Sequence, residues 1–243
     1  MSESSRESAS RSAGSDFNLP NAITATRIAV APLIAYLPFV DSPTWRAVAF
    51  GLYVAAAISD YVDGVLARTR GLVTDLGKSL DPLADKLLLV ATSVTLLVLQ
   101  SAPGDPVVSL LGGIPGVLTH AHRFPFISFF GTWYLPWWVI AVVLGREAFM
   151  TGFRAFAQRR GVVIAAIGPA KWKAAVQYIW VGAAFCHFAV ITFARHELVQ
   201  GEAWAWVTQF VGSVGELSMI LAVALTLWSL VLYMRRYGAL FTR

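Results

Sequence analysis

Apolar residues run through this chain in long blocks, without the strict alternation that marks half-buried strands. A helix needs about 20 mostly apolar residues to cross a hydrocarbon layer. Six windows meet that length, at roughly 22–40, 46–66, 80–100, 135–156, 170–194 and 212–234. Six transmembrane helices in an all-α integral membrane protein are therefore expected. Asn18, Pro20 and Asn21, set among apolar neighbours, predict a short N-terminal interfacial helix over residues 17–24. Residues 1–17 are Ser-rich and charged without periodicity, which predicts a disordered tail. No small-residue cleavage pattern follows the first apolar run, so no cleaved leader is expected. The domain organisation that results is a tail over 1–17, a membrane domain over 18–237 and a second tail over 238–243.

Composition agrees with the pattern. Hydrophobic residues make up 57% of the 243 residues and charged residues only 14%, against about a quarter charged in soluble domains. The single cysteine, Cys186, lies in an apolar run and reads as a small buried hydrophobe. Six spans place both termini on one side. Of the 19 Lys and Arg residues, only Arg46, Arg123 and Arg195 fall on the other side. That asymmetry sets the termini and the segments near residues 70 and 160 in the cytoplasm. It also accounts for the net charge of +5 without a nucleic-acid partner. The longest connection, Ser101–Tyr134, then lies outside and reads as a re-entrant or interface-lying loop, with Trp133, Tyr134, Trp137 and Trp138 as an aromatic belt.

The chemistry concentrates in SDYVDGVLARTRGLVTDLGKSLDPLADK, residues 59–86, where the second window gives way to the third. Asp60 and Asp63 are three apart, and Asp81 and Asp85 four apart, so each pair projects from one face of its helix. Carboxylates at membrane depth cost about 2.5–3.5 kcal/mol each on insertion scales, so cations are expected among them. Hard oxygen ligands without His or Cys favour Mg²⁺, Mn²⁺ or Ca²⁺, and bridging carboxylates suit a two-metal site. Gly64 and Ala67 leave a helix face without bulk, and Gly77 does so on the facing helix, so a nucleotide can approach the backbone. Arg68, one turn past Gly64, reaches a phosphate or base from that face. Tight helix packing is the alternative use of the small residues. Clustered intramembrane acids also mark ion pathways, so a cation transporter is the competing class.

The pattern Asp60, Asp63-Gly64, Ala67-Arg68, Gly77, Asp81, Asp85 resembles the full signature of the CDP-alcohol phosphatidyltransferases, D-x2-D-G-x2-A-R-x8-G-x3-D-x3-D. NLPNAITATRIAVAPL, DPLADKLLLV and REAFMTGFRAFAQRRGVVIAAIGPAKWKAAVQ look like segments of the bacterial phosphatidylglycerophosphate synthase branch. The resemblance implies the CDP-alcohol phosphotransferase fold, a homodimer in a bacterial inner membrane with its active site cytoplasmic, and two divalent cations, Mg²⁺ or Mn²⁺. It implies that Asp60, Asp63 and Asp81 ligate the metals, that Asp85 is the general base and a further ligand, and that Asp63, Gly64, Ala67, Arg68 and Gly77 hold the CDP moiety. The implied reaction joins CDP-diacylglycerol and sn-glycerol 3-phosphate. The same signature also serves cardiolipin and phosphatidylinositol-phosphate synthases. A dianionic acceptor needs fixed cations apart from the metals, and Arg27, Arg146, Arg154, Lys171 and Lys173 are the candidates. Glu147 reads as their ion-pair partner. His120, His122, His187 and His196 read as structural, and Glu216 as interfacial or hydrogen-bonded within the bundle.

Overall fold

The computed structural model describes residues 19–69, 74–114, 117–162, 164, 168–197 and 201–238. Both predicted tails lie almost wholly outside that range. So do the side chains of Gly64, Ala67, Arg68 and Lys171, and the nucleotide and phosphate roles expected of them with it. Six long helices form the body: α1 (Leu19–Tyr36), α2 (Pro43–Thr69), α3 (Asp75–Gln100), then, past two short helices α4 (Pro106–Leu110) and α5 (Val117–His120), α6 (Trp137–Arg159), α7 (Gly168–His196) and α8 (Glu202–Tyr237). An antiparallel hairpin of β1 (Phe126–Ser128) and β2 (Gly131–Trp133) precedes α6.

Four of the long helices have the length and apolar character to cross a membrane: Pro20–Phe39, which runs on from α1, Leu80–Gln100, Trp172–His196 and Glu202–Tyr237. The remaining two, α2 and α6, carry charge inside the apolar run: Arg46, Asp60 and Asp63 in one, Arg146, Glu147 and Arg154 in the other. Residues 19–24, read as an interfacial piece, are instead the first turns of α1. The last helix starts at Glu202, ten residues before the window that predicted it.

Helix faces are sorted as in a membrane protein. On α8 the buried face carries Ser213, Gly215, Glu216, Ser218, Thr226 and Ser229, while Leu217, Leu221, Leu227, Trp228 and Val231 are exposed. On α3, Thr92 and Thr95 are buried, and Leu83, Leu87, Val90 and Val94 form an exposed stripe. Small and polar residues let helices approach closely, and large apolar ones suit a lipid solvent. The interior between the helices is filled by Ile34, Leu88, Leu96, Val143, Trp180, Phe185 and Phe188.

Among its described residues, the long connection caps one end of the bundle. The last carbonyls of α3 lack helical partners, and this segment supplies them. His122 N–H donates to Val98 O, Phe124 N–H to Leu99 O and Leu135 N–H to Gln100 O, at 3.2, 2.9 and 2.8 Å. The hairpin presses on α8 so closely that a Cβ on Gly212 would stand 2.0 Å from Ile127 O. His187 Nε2 and Ser213 Oγ accept from Ile127 and Phe129 N–H, so His187 is structural, as its sequence context implies.

Candidate active site

At the other end of the bundle, α1, α2 and α3 converge. Thr74 caps α3 by accepting from Gly77 N–H at 3.0 Å, and Asn21 on α1 donates to the same hydroxyl at 2.8 Å. A Cβ on Gly77 would stand 2.6 Å from Asn21 Oδ1, so a side chain there would displace the Asn21 amide. With α3 fixed in this way, Asp81 and Asp85 face Asp60 and Asp63 across α1.

The four aspartates are gathered by two α1 residues one turn apart. Arg27 donates through Nη1 to Asp60 at 2.5 Å and Asp85 at 2.9 Å, and through Nη2 to Asp63 at 2.5 Å. Thr24 Oγ lies 3.2 Å from Asp63 Oδ2 and 2.9 Å from Asp81 Oδ1. A hydroxyl has one proton and serves only one of these carboxylates at a time. Arg27, expected in the acceptor-phosphate pocket, thus belongs to the carboxylate cluster. Asp63 is buried, whereas Asp81 and Asp85 are exposed and open to incoming groups. Tyr178 of α7 brings its hydroxyl to 3.5 Å from Asp60 Oδ2.

The donor set suits hard cations. Four carboxylates share one guanidinium and one hydroxyl, and every ligand atom they offer is oxygen. Among the described residues no three acidic, His or Cys side chains are drawn together closely enough to share one ion. The guanidinium spans that space.

A second charged group stands beside the first. Glu147 on α6 accepts from Arg146 at 2.9 Å and from Lys173 on α7, the pairing its sequence context predicts. Arg146 also donates to Ser229 on α8 at 3.2 Å. A cavity of about 150 Å³ joins the two groups, lined by Asp85, Lys86, Glu147, Lys173, Gln177 and Tyr178 among others. Gln177 is buried, and its Nε2 has no partner. Arg154 is exposed and lies apart from this lining.

Thr24, Gln177 and Tyr178 are site residues that sequence reasoning missed. A signal existed for two of them: Thr24 precedes Arg27 by one turn, and Gln177 follows Lys173 by one turn.

Apolar-faced helices with a carboxylate cluster at one end, beside a cavity lined by fixed cations, define a helical membrane protein with a charged site. The model of the CDP-alcohol phosphatidyltransferase family matches residues 17–228, and the chain belongs to that family of transferases. It is 31% identical over 213 residues to the CDP-diacylglycerol–glycerol-3-phosphate 3-phosphatidyltransferase of Bacillus subtilis, covering 80% of this chain and 89% of that protein. To the enzyme of the same name from Rickettsia bellii it is 46% identical over 82 residues, 34% of this chain and 45% of that protein. It is also 30% identical over 223 residues to a cardiolipin synthase (CMP-forming) of Oryza sativa, covering 90% of this chain and 56% of that protein.

Proposed function

We propose that the protein transfers the phosphatidyl group of CDP-diacylglycerol to sn-glycerol 3-phosphate, giving phosphatidylglycerol phosphate and CMP. The observation that carries this reading is the cavity that places Asp85 and Lys173 on one wall system: a carboxylate for the acceptor hydroxyl and a buried ammonium for its phosphate. In the reaction Asp85 accepts the proton of the glycerol 1-hydroxyl. That oxygen bonds to the phosphorus carrying the diacylglycerol, and the phosphorus–oxygen bond to CMP breaks. Two divalent cations, Mg²⁺ or Mn²⁺, held by Asp60, Asp63, Asp81 and Asp85, would supply charge neutralisation at the pyrophosphate. Arg27 keeps the four carboxylates oriented, and Gly64, Ala67 and Arg68 border the CDP moiety. Lys173, Arg146, Lys171 and Arg154 bind the acceptor phosphate.

Six spans, cytoplasmic termini and a bacterial inner-membrane location complete the proposal, supported by the charge asymmetry and the six long helices. A homodimer, which the family resemblance implies, is part of the same proposal. The cardiolipin synthase relative favours a second acceptor, phosphatidylglycerol, which lacks a terminal phosphate for Lys173. Purified protein with CDP-diacylglycerol and Mg²⁺ is to be offered glycerol 3-phosphate, phosphatidylglycerol and inositol phosphate while CMP release is followed. Release with phosphatidylglycerol and none with glycerol 3-phosphate would overturn the assignment.

A further inference from the structure

The only three Lys or Arg residues assigned to the side away from the termini, Arg46, Arg123 and Arg195, lie 149 residues apart at their extremes in the sequence. The fold brings them together. Arg46 begins α2, some 14 residues before Asp60, so it lies roughly 20 Å along the helix from the aspartates at about 1.5 Å per residue. Its guanidinium is 4.5 Å from the centre of the Phe124 ring, and that of Arg195 is 5.3 Å from the same ring. Asp41 bridges Arg46 at 2.9 Å and Arg123 at 3.7 Å. Arg195 donates only to the Arg123 carbonyl, at 3.5 Å.

The charges do not balance. Burial raises the Asp41 carboxyl, but the hydrogen bond and charge of Arg46 outweigh it and hold the group below its usual range, so it is ionised. Burial and then the charges of Arg123 and Arg46 lower His120, which is neutral. Three guanidinium groups therefore face one carboxylate, and no other carboxylate among the described residues pairs with them.

The hydrogen bonds do not balance either. The Arg46 side chain is 0% exposed; Nε donates to Pro38 O and Nη1 to Asp41 and Thr192, yet Nη2 has no partner. His120 Nδ1 is likewise buried without a partner. A buried donor without a partner is costly, most of all on a charged group. Arg123 and Arg195 remain accessible above this floor. Half-exposed Trp45 and Trp133 near the same end set it at the level of lipid headgroups.

We infer that Arg46, Arg123 and Arg195 form an anion site for a phosphoryl group, at the end of the bundle opposite the aspartates. Arg forks match phosphate oxygens bidentately, and the buried Arg46 contributes a fixed charge beneath the two exposed ones. The phosphoryl group comes from an anionic phospholipid headgroup or from free phosphate.

The test uses the full chain in detergent, with thermal unfolding followed at increasing inorganic phosphate in one arm and short-chain phosphatidylglycerol in the other. Ligand binding to the folded state raises the melting temperature in a saturable way. The wild type should show such a rise. In R123Q/R195Q the apparent dissociation constant should weaken at least about tenfold, while R123K/R195K keeps most of the effect. CMP release should be unchanged in both, which separates this site from the cytoplasmic phosphate pocket. A difference confined to phosphatidylglycerol assigns the lipid, and one seen equally with phosphate assigns the free ion. Equal shifts in wild type and R123Q/R195Q with both probes would overturn the inference. If R123Q/R195Q does not fold, R195Q alone, altered at an exposed side chain, must still weaken binding about threefold or more.

Discussion

Arg27 Nη2 stands 2.5 Å from Asp63 Oδ2, with the two side chains only 1% and 5% exposed. A buried ion pair of this kind is costly to break, because removing one partner strands the other and destabilises by about 3–5 kcal/mol. Arg27→Gln should therefore lower the melting temperature. Cations placed among the same carboxylates would offset the lost charge, so the variant should depend on Mg²⁺ for stability more steeply than the wild type. Thermal unfolding with and without chelator measures both. An identical chelator effect in the two proteins would remove the metals from this cluster.

Asp85→Asn tests the base. The amide keeps the shape and an oxygen but cannot take the proton. CMP release should fall by about two to four orders of magnitude, with Mg²⁺ still stabilising the fold through Asp60, Asp63 and Asp81. Turnover near that of the wild type would reject Asp85 as proton acceptor.

Much of this arrangement is legible in the chain. The carboxylate pairs sit at helical spacings, and spacing survives folding, so Asp60, Asp63, Asp81 and Asp85 are found facing one another. The role of Arg27 was not legible, because a cation one turn inside an apolar helix reads alike as a phosphate ligand or a carboxylate partner. Only the approach of α1 to α2 and α3 decides between them. Gly77 makes the same point: its missing side chain reads as room for a nucleotide, while the structure shows Asn21 against it. The aromatic segment before α6 shows in the sequence only short apolar pieces and an aromatic belt. Its hairpin depends on Gly212 and Gly215, more than 80 residues away, which no local pattern connects to it.

Gly77→Ala should destabilise the protein by about 1–2 kcal/mol, since the new methyl displaces Asn21 and weakens the Thr74 cap. Asn21→Ala removes the obstacle. The double variant should then lose less than the two single losses combined, as read from denaturation midpoints. Strict additivity would show that the two residues do not compete for the same space.

Gly212→Ala puts a methyl 2.0 Å from a backbone oxygen, which no side-chain rotation relieves. Displacing the hairpin should cost at least about 1–3 kcal/mol, and it should free the Phe129 N–H now held by Ser213. Hydrogen exchange over residues 126–133 should rise, with CMP release per folded molecule little changed, because the hairpin lies at the far end from the aspartates. Loss of activity in step with wild-type hairpin protection would mean that the substitution acts elsewhere.

Lys173 and Arg154 are both cations on the aspartate side of the bundle, but only Lys173 lines the cavity that Asp85 shares. Its ammonium is held by Glu147, which lines the same cavity. A phosphate bound there gains a charge-assisted hydrogen bond worth about 1.5–3 kcal/mol. Lys173→Met should raise the KM for glycerol 3-phosphate about tenfold or more while leaving that for CDP-diacylglycerol within about twofold. Arg154→Ala, at an exposed position in contact with water, should raise the same constant by a smaller factor. Because Lys173→Met leaves Glu147 with Arg146 alone, the variant K173M/E147Q serves as the control: it restores the local net charge but not the phosphate contact, so the high KM should persist. If balancing Glu147 returned the KM to its wild-type value, Lys173 would be a structural partner of Glu147 and not a ligand of the acceptor.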